Sequence, residues 1–209
     1  MNLLNIDYID LRELINAFNQ GKIICLPTDT IYAISSDATN ELAIQKIYQI
    51  KNRPMEKTLS IFVSDIDMAQ DYVQFSSRQL QFIQKIWPGP VTIISEVSNR
   101  SRLPSILIKN NKVALRVPDN RLIKHICREI KGPIIATSAN VSSEIYNNDY
   151  YTIERIFSDY IDIIIKKSSA MKDNNKKPSS IIEFTGNGFR VIREGNMTFE
   201  QINRYSSTK

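Results

Sequence analysis

Lys22-Ile23-Ile24-Cys25-Leu26-Pro27-Thr28-Asp29-Thr30-Ile31-Tyr32 is an apolar run that breaks into a polar turn. Residues 22–26 read as a buried strand. Pro27 fixes the turn and removes one amide donor. The hydroxyls of Thr28 and Thr30 then stand where a polar ligand can meet them. In an open α/β sheet, ligands gather beyond the carboxyl ends of strands. Thr and Asp are also ordinary turn residues, so this motif alone leaves a structural reading open.

Working outward, the pattern alternates between two periods. Upstream, Asp10 and Glu13 form a capping box for a helix with Leu11, Leu14, Ile15 and Phe18 on one stripe, stopped by Gly21. Downstream, 40–50 reads as a helix with Ala43, Ile44, Ile47 and Ile50 inward, and 59–63 as a strand. Ser76 or Ser77 caps a helix striped by Leu80, Ile83, Ile86 and Trp87, which Pro88-Gly89-Pro90 ends before a strand at 91–95. Further strands are expected at 113–117, 134–137, 161–165 and 180–184. A helix spans 120–130 and ends at Gly132-Pro133. Gly186-Asn187-Gly188 turns a hairpin into 189–192, and Thr198 with Gln201 caps a last helix. The alternation predicts an α/β fold with helices packed on the sheet, and the hairpin makes that sheet mixed. The polar stretches 98–111 and 168–177 read as mobile loops.

At 209 residues, with no internal repeat, the chain is expected to form a single domain over 1–209. Apolar residues at 42% and charged residues at 23% exclude disorder. The charge, 27 basic minus 22 acidic or +5, suits nucleotide or nucleic-acid partners without requiring them. Cys25 and Cys127 lie in apolar segments and read as reduced core thiols. No stretch reaches the roughly 18 to 20 apolar residues that span a bilayer, so a cytoplasmic protein is expected.

Cations mark the chemistry. Lys51 and Arg53 flank the end of a helix at Pro54, with Lys57 close behind. A helix C-terminus favours cations in any case. In an extended exit segment Lys51 and Arg53 would point to opposite sides, so a curved turn is needed for them to converge. Six glycines and no Walker pattern leave any phosphate to side chains, with Arg binding it bidentately and Lys as a point charge. Arg116 interrupts an apolar strand, as a ligand-facing cation or as half of an internal salt bridge. Arg193 stands similarly near the end of the last strand. Thr137-Ser138-Ala139-Asn140 is a second polar loop after a buried strand. Ser138 as a nucleophile would need a base. The single histidine, His125, reads as a helix-flank residue beside Lys124, and no nucleophile elbow surrounds Ser138.

Taken in order, Pro27-Thr28-Asp29-Thr30-Ile31-Tyr32, Lys51-Asn52-Arg53-Pro54, Trp87-Pro88-Gly89-Pro90-Val91-Thr92, Ala114-Leu115-Arg116-Val117-Pro118, Thr137-Ser138-Ala139-Asn140, Lys177-Pro178-Ser179-Ser180-Ile181-Ile182 and Ile192-Arg193-Glu194-Gly195 resemble the YrdC/TsaC family, the threonylcarbamoyl-AMP synthases. The resemblance runs from about Gly21 to Gly195. It implies a YrdC-like mixed twisted sheet flanked by helices around a concave basic cleft, of the short single-domain type. It also implies synthesis of threonylcarbamoyl-AMP and diphosphate from L-threonine, bicarbonate and ATP, for threonylcarbamoyladenosine in tRNA. Position by position, it places Thr30, Arg116, Ser138 and Ser179 on L-threonine. It places Lys51, Arg53, Lys57, Asn140, Asn148 and Arg193 on the nucleotide, with Lys51 and Arg53 catalytic. Magnesium is expected to ride on ATP without a protein cage, and a downstream tRNA threonylcarbamoyl transferase complex would take the product.

Three departures from the family pattern stand out. Ala33 replaces a glycine, which would be costly if that position needed a positive φ. The Lys-Pro-Leu-Ile run becomes Lys57-Thr58-Leu59-Ser60. Phe62 stands where some members carry histidine. Two rivals follow: a cleft that binds double-stranded RNA without synthesis, and a paralogue acting on another carbamoyl or nucleotide substrate.

Overall fold

Alternate residues of the same strands enter two separate cores, and this parity builds the molecule. Ile23 and Cys25 join one apolar cluster, while Ile24 and Leu26 join the other. Ile61, Leu115 and Ile135 likewise face the first cluster, and Phe62 and Ile134 the second. A period of two delivers this only if both sheet faces are covered.

The structure, a computed structural model, describes residues 1–142, 149–167, 177–186 and 188–207. Its strands are β1 (Asn2–Asn5), β2 (Ile24–Leu26), β3 (Ala33–Ser35), β4 (Ser60–Phe62), β5 (Val91–Glu96), β6 (Lys112–Arg116), β7 (Ile134–Ser138), β8 (Ile163–Lys166), β9 (Ser180–Thr185) and β10 (Gly188–Arg193). Its helices are α1 (Leu11–Asn19), α2 (Glu41–Ile50), α3 (Ile66–Tyr72), α4 (Ser77–Ile86), α5 (Arg121–Glu129), α6 (Tyr150–Phe157) and α7 (Phe199–Ser207). The strands form one sheet in the order β1-β8-β2-β3-β7-β4-β6-β5-β9-β10. It is mixed: β1/β8, β2/β8, β4/β6 and β5/β9 are parallel, the other neighbours antiparallel. The apolar stripes of α2, α4, α6 and α7 feed the larger core, and those of α1 and α5 the smaller one. Among the described residues no helix is long and apolar enough to cross a membrane.

The expected α/β architecture stands, with corrections in detail. β1, β3, α3 and α6 are not among the expected elements: the first three are short, while α6 buries Ile153 and Phe157 at helical spacing. β3 is three residues long and exists because β2 and β7 pair with it on either side. The stretch 98–111, expected as a mobile loop, is anchored by buried Leu103 and Leu107 and by a 3-10 turn at Ser105–Leu107. Most of 168–177, and Asn187 of the hairpin turn, lie outside the described residues. Ser76 caps α4 as expected and completes a capping box with Gln79, while Asp10 caps α1 with its own carboxylate only. Asn40 and Asn120, read as the first residues of their helices, are their N-caps and accept from first-turn amides.

Three helices end in the same two hydrogen bonds. After α1, Lys22 N–H reaches Ala17 C=O and Gly21 N–H reaches Phe18 C=O, with Gly21 left-handed at φ 69°. After α2, Asn52 takes the left-handed position at φ 47°. After α5 it is Lys131, at φ 53°, and not the expected Gly132. A β-carbon in this region costs about 1–2 kcal/mol. Glycine's extra freedom in the unfolded chain returns about 0.5–1 kcal/mol of that. Lys131→Gly should therefore stabilise the protein by about 0.5–1 kcal/mol, read as a higher urea midpoint at unchanged m-value. A lower midpoint would show that the Lys131 side chain contributes more than its backbone costs.

Candidate active site

The half of the sheet that α1 and α5 leave uncovered is the floor of a cavity. Its strand residues have the opposite parity to the larger core: Ser60 and Phe62 of β4, Thr92 and Ile94 of β5, Ala114 and Arg116 of β6, Ala136 and Ser138 of β7. Most of these side chains are small, so the sheet surface is recessed, and the space measures about 330 Å³. The turn after β2, the segment after α2, and the chain flanking β9 and β10 wall it in.

The opening turn is held by its own hydroxyls. Thr28 Oγ1 donates to Ile31 C=O at 2.7 Å and accepts from Thr30 N–H at 2.9 Å. With that hydrogen used, the 3.0 Å contact between the two hydroxyls has Thr30 as donor. Thr28 is thus the ordinary turn residue, and Thr30, 3% exposed, faces the cavity. Thr30 Oγ1 also accepts from Arg116 Nη1 at 3.3 Å.

Arg116 satisfies both readings of its sequence position. Its Nη2 lies 2.9 Å from Asp29 Oδ1, and its guanidinium sits 4.9 Å from the centre of the Phe62 ring. Yet Nε is buried without a hydrogen-bond partner, one of two such side-chain atoms among the described residues. Burial pushes the Arg116 pKa down, Asp29 opposes this, and Arg193 adds to it. A buried donor with nothing to bind is costly, and it marks where an acceptor belongs.

Arg53 and Arg193 bring two more cations to the same space. Asn52 turns the chain after α2, and Arg53 then clasps the next turn, with Nε on Lys57 C=O at 2.8 Å and Nη2 on Thr58 C=O at 2.9 Å. Lys57 is exposed at the rim. A bulge after Val191 shifts the β9/β10 register and re-aims Arg193, whose Nη2 reaches Ser179 C=O at 2.7 Å. Burial lowers the Arg193 pKa, and Arg53 lowers it further, as expected for like charges gathered at one place. Gly195 fixes this corner: a β-carbon there would lie 2.2 Å from Pro178 C=O. Ser179 Oγ sits 2.8 Å from Thr92 Oγ1.

The curved turn does not make Lys51 and Arg53 converge. Lys51, 1% exposed, stays on the core side and does not line the cavity. Its ammonium donates to Ser138 C=O, to Asn140 C=O at 2.6 Å and to Asn140 Oδ1 at 3.4 Å. Lys51 therefore holds the Ser138–Asn140 loop from beneath. Burial, and secondarily Arg53, pull its pKa down to about 7. Ser138 Oγ faces the cavity and donates to Asn140 Oδ1 at 2.6 Å. His125 lies on α5, 4.0 Å from Glu129 and away from the cavity lining, so Ser138 has no histidine base.

Of the residues singled out in sequence, Thr30, Arg53, Lys57, Arg116, Ser138, Ser179 and Arg193 all line one cavity. Lys51 and Asn140 stand behind it, and Asn148 lies outside the described residues. Ala33 sits in extended β3, outside the left-handed positions, so replacing glycine there brings no backbone penalty. Ser60 Oγ donates to Ala136 C=O at 2.6 Å within the floor. Sequence reasoning missed Asp29, Phe62 and Thr92 as parts of the site. Parity could have found Thr92, which alternates with the core residues Val91 and Ile93, whereas Asp29 lies in a turn and Phe62 is as apolar as its core neighbours. Among the described residues no group of three His, Cys, Asp or Glu could hold a metal ion. Cys25 and Cys127 are buried unpaired thiols, as expected.

A family model named Sua5/YciO/YrdC, described as telomere recombination, matches residues 16–195. A Methanocaldococcus jannaschii protein is 32% identical over 92% of this chain and 87% of its own length. A Vibrio vulnificus threonylcarbamoyl-AMP synthase is 32% identical over 70% of this chain and 78% of its own length. Among solved structures, P. abyssi Sua5 complexed with L-threonine superposes with a TM-score of 0.87 at 22% identity over 98% of this chain, which spans 61% of that protein's length. E. coli YciO gives 0.82 at 21% identity, over 96% of this chain and 97% of its own. At these identities the two structures establish the fold.

The placement of Lys51 yields a linkage test. Its folded pKa lies below the ordinary lysine value, so between pH 7 and the unfolded pKa the unfolded chain binds more protons than the native one. Stability from this group therefore rises with pH across that window. The stability of wild type relative to Lys51→Met should increase from pH 7 to 10 in urea titrations. A flat difference would show an ordinary lysine pKa.

Proposed function

The chain belongs to the Sua5/YciO/YrdC family, and on that premise we propose that it is an L-threonylcarbamoyladenylate synthase. The observation that carries this reading is the meeting of Arg53, Arg116 and Arg193 with the hydroxyls of Thr30, Ser138 and Ser179 around one cavity. Three guanidiniums suit a polyanion, and hydroxyls beside a buried arginine suit a small zwitterion.

In this mechanism the threonine carboxylate is held by Arg116, and Thr30, Ser138 and Ser179 orient the rest of the amino acid. The neutral amine condenses with bicarbonate to a carbamate, a C–O bond of bicarbonate breaking as water leaves. The carbamate oxygen attacks the α-phosphate of ATP, forming the mixed anhydride, and diphosphate leaves. Both reacting groups belong to substrates, so the protein contributes positioning and charge. Arg53, Lys57 and Arg193 neutralise the phosphates and the charge developing on the leaving diphosphate. Lys51 supports this through the Ser138–Asn140 loop. The lining offers one carboxylate, the exposed Glu56, which is too little for a protein-held magnesium. Magnesium would arrive with ATP, bound by phosphate oxygens and water. The product is a labile acyl adenylate, which a tRNA-modifying transferase in the cytoplasm would consume.

The direct test is to supply ATP, bicarbonate and L-threonine and assay diphosphate and the adenylate, omitting each substrate in turn. Product without threonine or without bicarbonate would refute the reading. Arg53→Ala should weaken ATP about 10- to 150-fold, the equivalent of one charge-assisted contact of about 1.5–3 kcal/mol. Unchanged calorimetric affinity would remove Arg53 from the nucleotide site. Ser138→Ala should raise the threonine KM with a partial fall in kcat, and intact-mass spectrometry during turnover should show no adduct. An adduct on Ser138 decaying at the catalytic rate would instead mean covalent catalysis. L-threonine should be strongly preferred over L-valine, because a site built for a hydroxyl rejects the analogue lacking it.

A further inference from the structure

The cations of this cavity are not electrically equivalent. Arg53 and Arg193 donate to backbone carbonyls. Among the described residues, Arg116 is the one cavity cation paired with a carboxylate. That carboxylate is fixed at both oxygens: Asp29 Oδ1 lies 2.9 Å from Arg116 Nη2, and Oδ2 accepts from Asp119 N–H at 3.2 Å. Thr30 and the Phe62 ring immobilise the rest of the guanidinium. These bonds use two of the five guanidinium N–H donors, and Nε is buried with no hydrogen-bond partner.

We infer that Asp29 is a positioning residue that divides the cavity into two anion subsites, reserving Arg116 for the amino-acid carboxylate and leaving polyphosphate to Arg53, Lys57 and Arg193. The reasoning is electrostatic. The Asp29–Arg116 pair carries no net charge, so a diphosphate placed there gains little from Arg116 and meets the charge of Asp29. A zwitterion is also neutral overall, and needs from this pair only N–H donors for its carboxylate. Without Asp29, Arg116 would be a buried cation facing Arg193, whose effect on it is already felt. Such a site recruits any anion, and the two substrates would compete for it. The inference rests on the synthase reading.

The test is calorimetric titration of L-threonine and of inorganic diphosphate into wild type, Asp29→Asn and Asp29→Glu, with melting temperatures recorded for each. In the wild type, threonine should bind and ATP but not threonine should displace diphosphate. In Asp29→Asn, threonine should weaken at least tenfold and a diphosphate site that threonine displaces should appear. Asp29→Glu keeps the charge but moves it by one methylene, so threonine should weaken without any new diphosphate competition. A folded Asp29→Asn with wild-type threonine affinity, or with no diphosphate displaced by threonine, would overturn the inference. If Asp29→Asn does not fold, the Glu variant decides, and wild-type threonine affinity there would overturn it equally. Absence of threonine binding to the wild type is a separate result, which removes the synthase reading and this inference with it.

Discussion

Every feature of the site depends on the parity of the central strands. A strand buried on both faces is normally apolar throughout. Here β4, β6 and β7 send Ile61, Leu115 and Ile135 into the larger core, while Ser60, Ala114 and Ala136 face the other way. A shift of one residue in any of these strands would drive isoleucine into the cavity and serine into the core. The register is therefore pinned by burial on one side, and the recess on the other side follows from it. The cavity is the face of the sheet that small residues and missing helices leave open.

Into that recess the fold gathers like charges at a cost. Burial depresses the pKa of both Arg116 and Arg193, with Arg193 adding to the effect on Arg116 against Asp29, and Arg53 to that on Arg193. The arrangement survives because each guanidinium is clasped by a rigid neighbour: Asp29 for Arg116, the 57–58 carbonyls for Arg53, the Ser179 carbonyl for Arg193. These contacts preorganise the cations before a ligand arrives, so binding need not order them. Lys51 extends the same logic one layer deeper, tying the end of α2 to the loop after β7. Its ammonium contributes through the loop it holds rather than by facing the cavity.

Much of this was legible in sequence because local chemistry and global fold agree. The stripes of α1, α2, α4 and α5, with caps at Asp10 and Ser76, follow from periodicity and from the orphan amides of a first helical turn. The cations and hydroxyls that line the cavity also announced themselves, since Arg116 within an apolar strand needs a partner. Other parts were silent for physical reasons. β3 is too short to show a period and is a strand only because β2 and β7 flank it. Asp29 looks like any turn aspartate until Arg116, 87 residues away, is brought to 2.9 Å. Lys131 gave no sign that it, and not Gly132, would take the left-handed position.

The sequence by itself determined the fold class, the bounds of α1, α2, α4 and α5 to within a residue or two, the family, and most of the polar side chains that line the cavity. These are properties of short segments, in which each residue's hydrophobicity, backbone preference and charge act on near neighbours. Only the tertiary structure decided which way each charge faces. Lys51 and Arg53 are two residues apart and chemically similar. A left-handed Asn52 sends one beneath the Ser138–Asn140 loop and the other into the cavity. The bulge after Val191 turns Arg193 toward Ser179 in the same way. Orientation is a long-range property because it depends on which backbone carbonyls and carboxylates the packed sheet brings within hydrogen-bond reach, and no local pattern encodes those distances.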